Sequence, residues 1–496
     1  MRKLIPLLFT FALLGACTAG PDYAGPPRVA SVGADGFLRA GSDVDSQAPL
    51  SSDWWLLLGD PVLNDLEARA LAGNPGVAAA RARIDQARAS LRQERANRLP
   101  SAAGQATTIQ AKIPGLDLQN GPPSGTPGTP GQTEDEETLS VYNVGLNANW
   151  EIDFAGGQRR RIEAANAQAA ASVANAEDAQ VQLAAEVARA YVGLREAQSR
   201  LDLVEQQREL QQQTLELTYQ RYTQGALALF PVGNANAELE LLKSQIAEAT
   251  ADVAVLKDTL AVLTGEAPGS LDQLLSKDSA IPLPPTRVAV GDPAALIARR
   301  PDIRAAERTL AAANARIGVA EAARFPKLSF MGILGLGGTQ PDDIFDLGNL
   351  SAIALPQLQW NLLDFGRTEA SIDQAEAGRE EALQRYREIV LRALQDAEQS
   401  LARFSQQRAN VAALAQVKRQ ADTAAGLNQQ RYKAGAISQA DLNTSLRQRQ
   451  QATVDLNRSI AAMTNSWIAI QKSLGLGWSE PGTMPAVANI GIPESS

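Results

Sequence analysis

Residues 300–326 read RPDIRAAERTLAAANARIGVAEAARFP, and residues 74–100 read NPGVAAARARIDQARASLRQERANRLP. Each opens on a residue followed by Pro, runs through an Ala-rich stretch, and closes on Arg, a large apolar residue and Pro. The two lie 226 residues apart at both ends, from 74 to 300 and from 100 to 326. Downstream, Arg221-Tyr222 with Gly225-Ala226-Leu227 recurs as Arg431-Tyr432 with Gly435-Ala436-Ile437, at an offset of 210. The 16 residues lost fall between Pro100 and Trp150, a stretch that the second copy shortens to 326–360. The chain is written twice with one loop trimmed, and a repeat of that size sets the architecture before any single element is assigned.

Each copy is expected to run helix, two strands, very long helix, turn, helix. The first repeat is 62–264, with strands at about 101–113 and 139–154, a long helix at 158–224 and a helix at 232–263. The second is 294–474, with strands at about 327–338 and 350–365, a long helix at 367–434 and a helix at 438–474. Strand evidence is best over 142–154. Tyr142, Val144, Leu146, Ala148, Trp150, Ile152 and Phe154 alternate with Asn143, Gly145, Asn147, Asn149, Glu151 and Asp153, which is period 2. In the second copy Ala352, Ala354, Pro356, Leu358, Trp360 and Leu362 alternate with Gln357, Gln359 and Asn361.

A half-buried soluble sheet would alternate in the same way. Two features point to a membrane instead: the strands reach the roughly ten residues a tilted spanning strand needs, and Trp150, Phe154, Trp360 and Phe365 gather at one end as an interfacial girdle would. The polar positions Asn143, Asn147, Asn149, Glu151 and Asp153, with Gln357, Gln359, Asn361 and Asp364, are then expected to face a water-filled lumen. Four strands cannot close a barrel, and open edges in lipid would leave backbone groups unpaired. A spanning sheet therefore requires oligomerisation: a dimer gives eight strands, a trimer twelve.

From about 158 to 224 there is no Pro, and likewise from 367 to 434. Helices of that length, about 100 Å at roughly 1.5 Å per residue, imply a coiled coil or helical array. A 4,3 seam runs Leu183, Val187, Ala190, Leu194, Ala197, Leu201, Val204, and its shifted counterpart Ala393, Ala397, Ser400, Phe404, Gln407, Val411, Leu414 is diluted. Gly225 and Gly435 stop the long helices. The first seam is interrupted at Arg208, whose shifted partner is Lys418, and Asp422 lies four residues on. All three are gate candidates, Arg208 and Lys418 through inter-helix salt bridges and Asp422 as the acidic residue on the same helix face as Lys418.

The composition excludes several functions. A net charge of −9, or −11 without Arg2 and Lys3, suits nucleic acid poorly. With no His and one Cys, the usual general base, the commonest metal ligand and any intrachain disulfide are missing. No catalytic residue, metal or cofactor is expected. Residues 1–16 have the charged start and apolar run of a signal peptide. Leu14-Gly15-Ala16-Cys17 resembles a bacterial lipobox, which makes Cys17 the lipidation site. Segment 17–61 follows as the lipidated amino-terminal part. Residues 18–52, 114–137 and 265–293 are loop-like, rich in Pro, Gly or Ser.

Taken with Cys17 to Pro26 (CTAGPDYAGP), Asp53-Trp54-Trp55, the 300–326 stretch, Trp360 to Gly366 (WNLLDFG) and Leu474 to Trp478 (LGLGW), the chain resembles the TolC-type outer-membrane efflux proteins, in the lipoprotein (NodT-like) branch paired with RND pumps. The resemblance implies a mixed fold, all-α plus membrane β-barrel. A homotrimer would pool four strands per chain into a 12-stranded barrel in outer-membrane lipid, continuous with a long α-helical periplasmic barrel. A small equatorial domain would draw on about 18–60, 265–293 and 475–496. It further implies a passive exit duct joined by a periplasmic adaptor protein to an inner-membrane RND pump, with Arg221, Tyr222, Gly225, Arg431, Tyr432 and Gly435 as the adaptor-contact tips. The family narrows its tunnel with acidic rings near the level of Asp422. Two other readings stay open: a protein-secretion channel on the same plan, and a trimeric coiled-coil surface lipoprotein. The last leaves the matched strand pairs unexplained.

Overall fold

The computed structural model describes residues 18–26, 36–41, 44–45, 48–112, 138–277 and 279–478. The signal peptide 1–16, Cys17, the 114–137 loop and residues 479–496 of the tail lie outside the described residues. Elements follow in the order β1 (Val44–Asp45), a 3-10 turn (Trp54–Leu58), α1 (Pro61–Gly73), α2 (Pro75–Ala96), β2 (Ser101–Lys112), β3 (Thr138–Ile152), α3 (Gly157–Thr223) and α4 (Leu229–Thr264). The second half runs β4 (Val288–Ala289), α5 (Pro293–Arg299), α6 (Pro301–Ala322), β5 (Lys327–Gly338), β6 (Leu350–Gln359), α7 (Arg367–Lys433) and α8 (Gln439–Ser473). The 3-10 turns Pro341–Phe345 and Leu347–Asn349 join β5 to β6. Both long helices have 67 residues, so the repeat is kept to the residue where it is longest.

The chain forms two compact units, and each draws on both repeats. One holds 1–25, 86–169 and 309–382; the other holds 26–85, 170–308 and 383–496. In the first unit β2, β3, β5 and β6 form one antiparallel sheet in that order. The sheet joins the repeats through β3 and β5, with Trp150 opposite Phe330 and Asn149 opposite Met331. The strands stop short of expectation, at Ile152 rather than 154 and at Gln359 rather than 365. The alternating pattern continues past the last ladder pair, but Asp153 and Asp364 turn the chain into the long helices.

The amino-terminal segment is strapped into this same unit. The buried Arg160 guanidinium donates to the carbonyls of Ala19 (2.9 Å) and Gly20 (2.8 Å) and to the carboxylates of Asp22 (2.8 Å) and Glu163 (2.7 Å). The Asn314 amide donates to the Pro21 carbonyl at 2.9 Å. Gly318 has to be Gly, because a Cβ there would sit 2.6 Å from the Ala19 oxygen. Tyr23 packs on Ala167, Ala311 and Ala312.

The second unit holds the main core. Trp54, Leu63, Leu66, Tyr191, Leu194, Leu260, Leu275, Trp467 and Ile468 are buried together. β1 pairs in parallel with β4, which ties the amino-terminal segment to the linker between the repeats. The linker is fastened further: Arg195 donates to the Lys277 carbonyl (2.7 Å), Gln198 to the Leu275 carbonyl (2.8 Å) and Thr464 to the Pro282 carbonyl (2.7 Å). The Tyr191 hydroxyl donates to Asp60 at 2.7 Å, and burial with that contact pushes its phenol pKa up.

Two of the sequence motifs meet here. Arg300 forks onto Asp302 (3.0 and 2.6 Å) and donates to the Ser473 carbonyl (2.8 Å), one of the free acceptors at the end of α8. Gly475 abuts Arg300 with φ +69°, where a Cβ would be strained, and Arg304 lies over the Trp478 ring at 5.3 Å. The RPD and LGLGW motifs are therefore two halves of one contact.

Candidate functional site

The sheet has two chemically distinct faces, fixed by register. Directly paired residues share a face, so one face reads Val144, Leu146, Ala148, Trp150 and Ile152 on β3, Leu336, Leu334, Gly332, Phe330 and Leu328 on β5, and Leu350, Ala352, Ala354, Pro356 and Leu358 on β6. It carries no ionisable or amide side chain among these residues, and Val144, Leu146, Trp150, Phe330, Leu334, Leu350 and Leu358 are exposed. An exposed apolar surface of this extent needs a lipid or protein partner. The opposite face holds Asn143, Asn147, Asn149 and Glu151, with Gln357 and Gln359 brought to it through Ser329 and Lys327.

Three of the expected lumen residues, Asp153, Asn361 and Asp364, lie past the strand ends. Asn361 is past the end of β6. The Asp153 carboxylate accepts the amides of Gln158 (3.0 Å) and Arg159 (2.9 Å), and Asp364 accepts those of Gly366 (3.0 Å) and Thr368 (2.9 Å). Both serve the free N–H groups where the long helices begin, and their charge suits that end of the helix dipole. The aromatic set divides in the same way. Trp150 is on a strand and stacks against Phe330 at 6.3 Å, a partner not expected from the alternation. Phe154, Trp360 and Phe365 follow the strand ends, and Phe365 takes φ 55° at the turn. The two Trp residues make the same bond in each repeat: Trp150 donates its indole N–H to the Arg98 carbonyl (3.2 Å), and Trp360 donates to the Arg324 carbonyl (3.1 Å).

The two tips share one backbone design. Gly225 (φ +72°) donates to the Tyr222 carbonyl and Ala226 to that of Arg221, both at 2.9 Å. Gly435 (φ +70°) donates to Tyr432 at 2.9 Å and Ala436 to Arg431 at 2.8 Å. This pair of bonds caps the carbonyls of a helix C-terminus, and only Gly takes that φ without cost. The side chains of Arg221, Tyr222, Arg431 and Tyr432 remain exposed. Beyond the turns the repeats diverge. Ser438 and Asp441 form a capping box for α8, whereas Ala228 offers α4 no side-chain cap and leaves Leu229 and Phe230 exposed.

Among the described residues, no inter-helix bridge is formed by the gate candidates. Lys418 pairs with Asp422 at 2.6 Å on its own helix, where the i,i+4 spacing brings the two within reach. Arg208 has no hydrogen-bond partner for its buried Nε. The ties between helices fall on other residues: Arg447 to Glu238 (2.8 Å), Arg200 to Asp252 (2.5 Å), Asn443 to Thr214 (2.6 Å) and Asn457 to Ser199 (2.7 Å). Among the described residues no group of His, Cys, Asp and Glu could hold a metal ion, and no helix is long and apolar enough to cross a membrane.

A two-faced sheet whose strands lead into two 67-residue helices that end at Gly turns is the plan of an outer-membrane channel protein. The chain belongs to the family described as outer membrane efflux protein, whose profile matches residues 66–266 and 293–476, one segment in each repeat. It is 31% identical over 482 residues to outer membrane protein OprJ of Pseudomonas aeruginosa, covering 94% of each chain. It is 29% identical over 476 residues to nodulation protein T of Rhizobium leguminosarum bv. trifolii, covering 95% of this chain and 97% of that one. The solved open state of the Neisseria gonorrhoeae MtrE outer membrane channel superposes with a TM-score of 0.77 at 27% identity, covering 93% of this chain and 98% of that one. The chain is thus an outer-membrane exit channel for efflux, and its relatives are channels rather than enzymes.

Proposed function

We propose that three copies of this chain close a twelve-stranded barrel in the outer membrane and that the barrel opens into a helical periplasmic duct. The observation that carries this reading is the sheet register, which separates a face that is apolar from Val144 to Ile152 and across the residues paired to them on β5 and β6 from one bearing Asn, Gln and Glu. A bilayer on one side and water on the other accounts for both faces. β2 and β6 are edge strands running in opposite directions. β6 of one copy can therefore pair with β2 of the next in antiparallel fashion, which removes the unpaired edges that lipid does not tolerate.

Lipidation at Cys17 fits the same arrangement. The next residues are held at the strand end, where Ala19 donates to the Ala155 carbonyl at 3.0 Å, so an acyl group would enter the layer bounded by Trp150. The Arg-Tyr tips would receive a periplasmic adaptor and, through it, an inner-membrane RND pump. Their exposed side chains beside rigidly capped Gly turns support that role. The test is disulfide trapping with Cys placed at Ala102 or Ala106 on β2 and at Ala352 or Ala354 on β6. A non-reducing gel should show linked dimers and trimers for at least one pair. Monomers for every pair, with no heat-sensitive trimer of the wild type, would sink the reading.

A further inference from the structure

The polar face of the sheet is not polar throughout. Across β3, β5 and β6 one row reads Asn149, Met331, Leu355 and the next reads Asn147, Ile333, Ile353. Ser101 and Ala103 of β2 extend the same rows beyond the two Asn residues. Below lies the polar row Glu151, Ser329, Gln357, and above lies Gly145, Gly335, Ser351. Four large apolar side chains thus form one block, bounded by amide groups at the side, polar groups below and Gly above. Directly opposed side chains on neighbouring strands are about 5 Å apart, so the block is contiguous. Ile353 and Leu355 are 48% and 44% exposed, and Met331 and Ile333 are half-buried.

We infer that Met331, Ile333, Ile353 and Leu355 form an apolar foothold inside the conduit, and that it favours amphipathic organic solutes over small hydrated ions in transit. The inference rests on the proposal that this face lines the lumen. Lipid does not explain the block, because the same face carries Asn147, Asn149 and Glu151, which would lie unpaired in hydrocarbon. Water alone gains nothing from it. A solute with an apolar ring or chain and a hydrogen-bonding group finds both surfaces in one row, the apolar pair on β5 and β6 and the Asn amide on β3. A hydrated ion finds only the amide. The ionised side chains on this face of the described strands are Glu151 and Lys327, one of each sign, so net charge selects neither cations nor anions. In a trimer the block would recur three times, alternating with the Asn columns.

The test uses the full chain in the outer membrane with Asn149→Cys, which places a thiol beside Met331. Two membrane-impermeant maleimides of equal charge are reacted from outside, one carrying an aryl ring and the other a short alkyl linker to its charged group with no apolar ring or chain for the foothold to hold. The aryl reagent is expected to react faster, and Ile353→Thr or Leu355→Thr should each lower the aryl-to-alkyl rate ratio roughly threefold, with the alkyl rate unchanged. The conservative Ile353→Val should keep the ratio. An unchanged ratio in both Thr variants, with Asn149→Cys still labelled, overturns the foothold and leaves the lumen standing. An Asn149→Cys that resists both reagents, with Leu334→Cys on the opposite face reactive, overturns the lumen reading itself. Loss of the alkyl reaction in one Thr variant marks a folding defect, and the other variant then decides.

Discussion

Glu67 shows how a single side chain can set the pH response of the fold. It lies in α1 at 0% exposure, and neither carboxylate oxygen has a hydrogen-bond partner. Burial therefore holds its carboxyl well above the usual range, and the neutral acid is the form the core accepts. The folded chain keeps this proton more tightly than the unfolded chain. The contribution to stability is full below the ordinary carboxyl pKa and is lost as pH rises through the folded value. Glu67→Gln preserves the shape and removes the ionisation. Its melting temperature should hold up as pH rises above roughly 5, where that of the wild type declines. Curves that run parallel across the range would refute this. The position was half legible: Leu63, Leu66 and Ala70 place the inner stripe of α1, and Glu67 falls on it by helical spacing. Its lack of a partner is a property of the packed core, which one sequence does not display.

At the scale of elements, periodicity gave the strands and seams their identity but not their ends or their partners. Period 2 placed Asn147 and Asn149 opposite Ala148 and Trp150, as the ladder does. It overran at 153–154 and 360–365, because a helix-capping Asp reads like one more polar strand position until its bonds are seen. The 4,3 seam found residues that are buried, among them Leu183, Val187, Leu194 and Phe404. The seam puts Lys418 and Asp422 on one helix face, and they pair along that helix, but it does not show which residues bridge one helix to another. Arg447 is the better candidate for a restraint near the tips, since it joins α8 to Glu238 on α4. Such a half-exposed pair contributes about 0–1 kcal/mol, so it would act only if repeated in every copy of an oligomer. In planar bilayers Arg447→Ala should open more often than wild type, by a fewfold. Charge exchange in Glu238→Arg with Arg447→Glu should restore the wild-type record, and Lys418→Ala should leave it unchanged. More frequent opening in Lys418→Ala, with none in Arg447→Ala, would return the gate to the intrahelical pair.

Over the whole molecule, the repeats and the compact units do not coincide. The sequence is divided at the 265–293 linker, yet both units take residues from each side of it. The sheet is completed only when β3 of the first repeat meets β5 of the second, and the RPD contact needs the end of α8 as well as the start of α6. The fold interleaves the two halves of the chain, so neither half carries a finished sheet or a finished core. That interleaving was not legible, because a repeat shows which segments resemble each other and not which ones pair. It makes a clear prediction. Half-chains divided within the linker, each exported with its own signal peptide, should be degraded or aggregate when expressed singly. Expressed together, they should recover a heat-modifiable assembly that migrates like the intact chain, because every contact that links the repeats is non-covalent apart from the linker itself. A first half that alone forms a stable, protease-resistant membrane species would show that one repeat completes its own sheet by pairing with copies of itself. The β3–β5 junction would then be dispensable for closure.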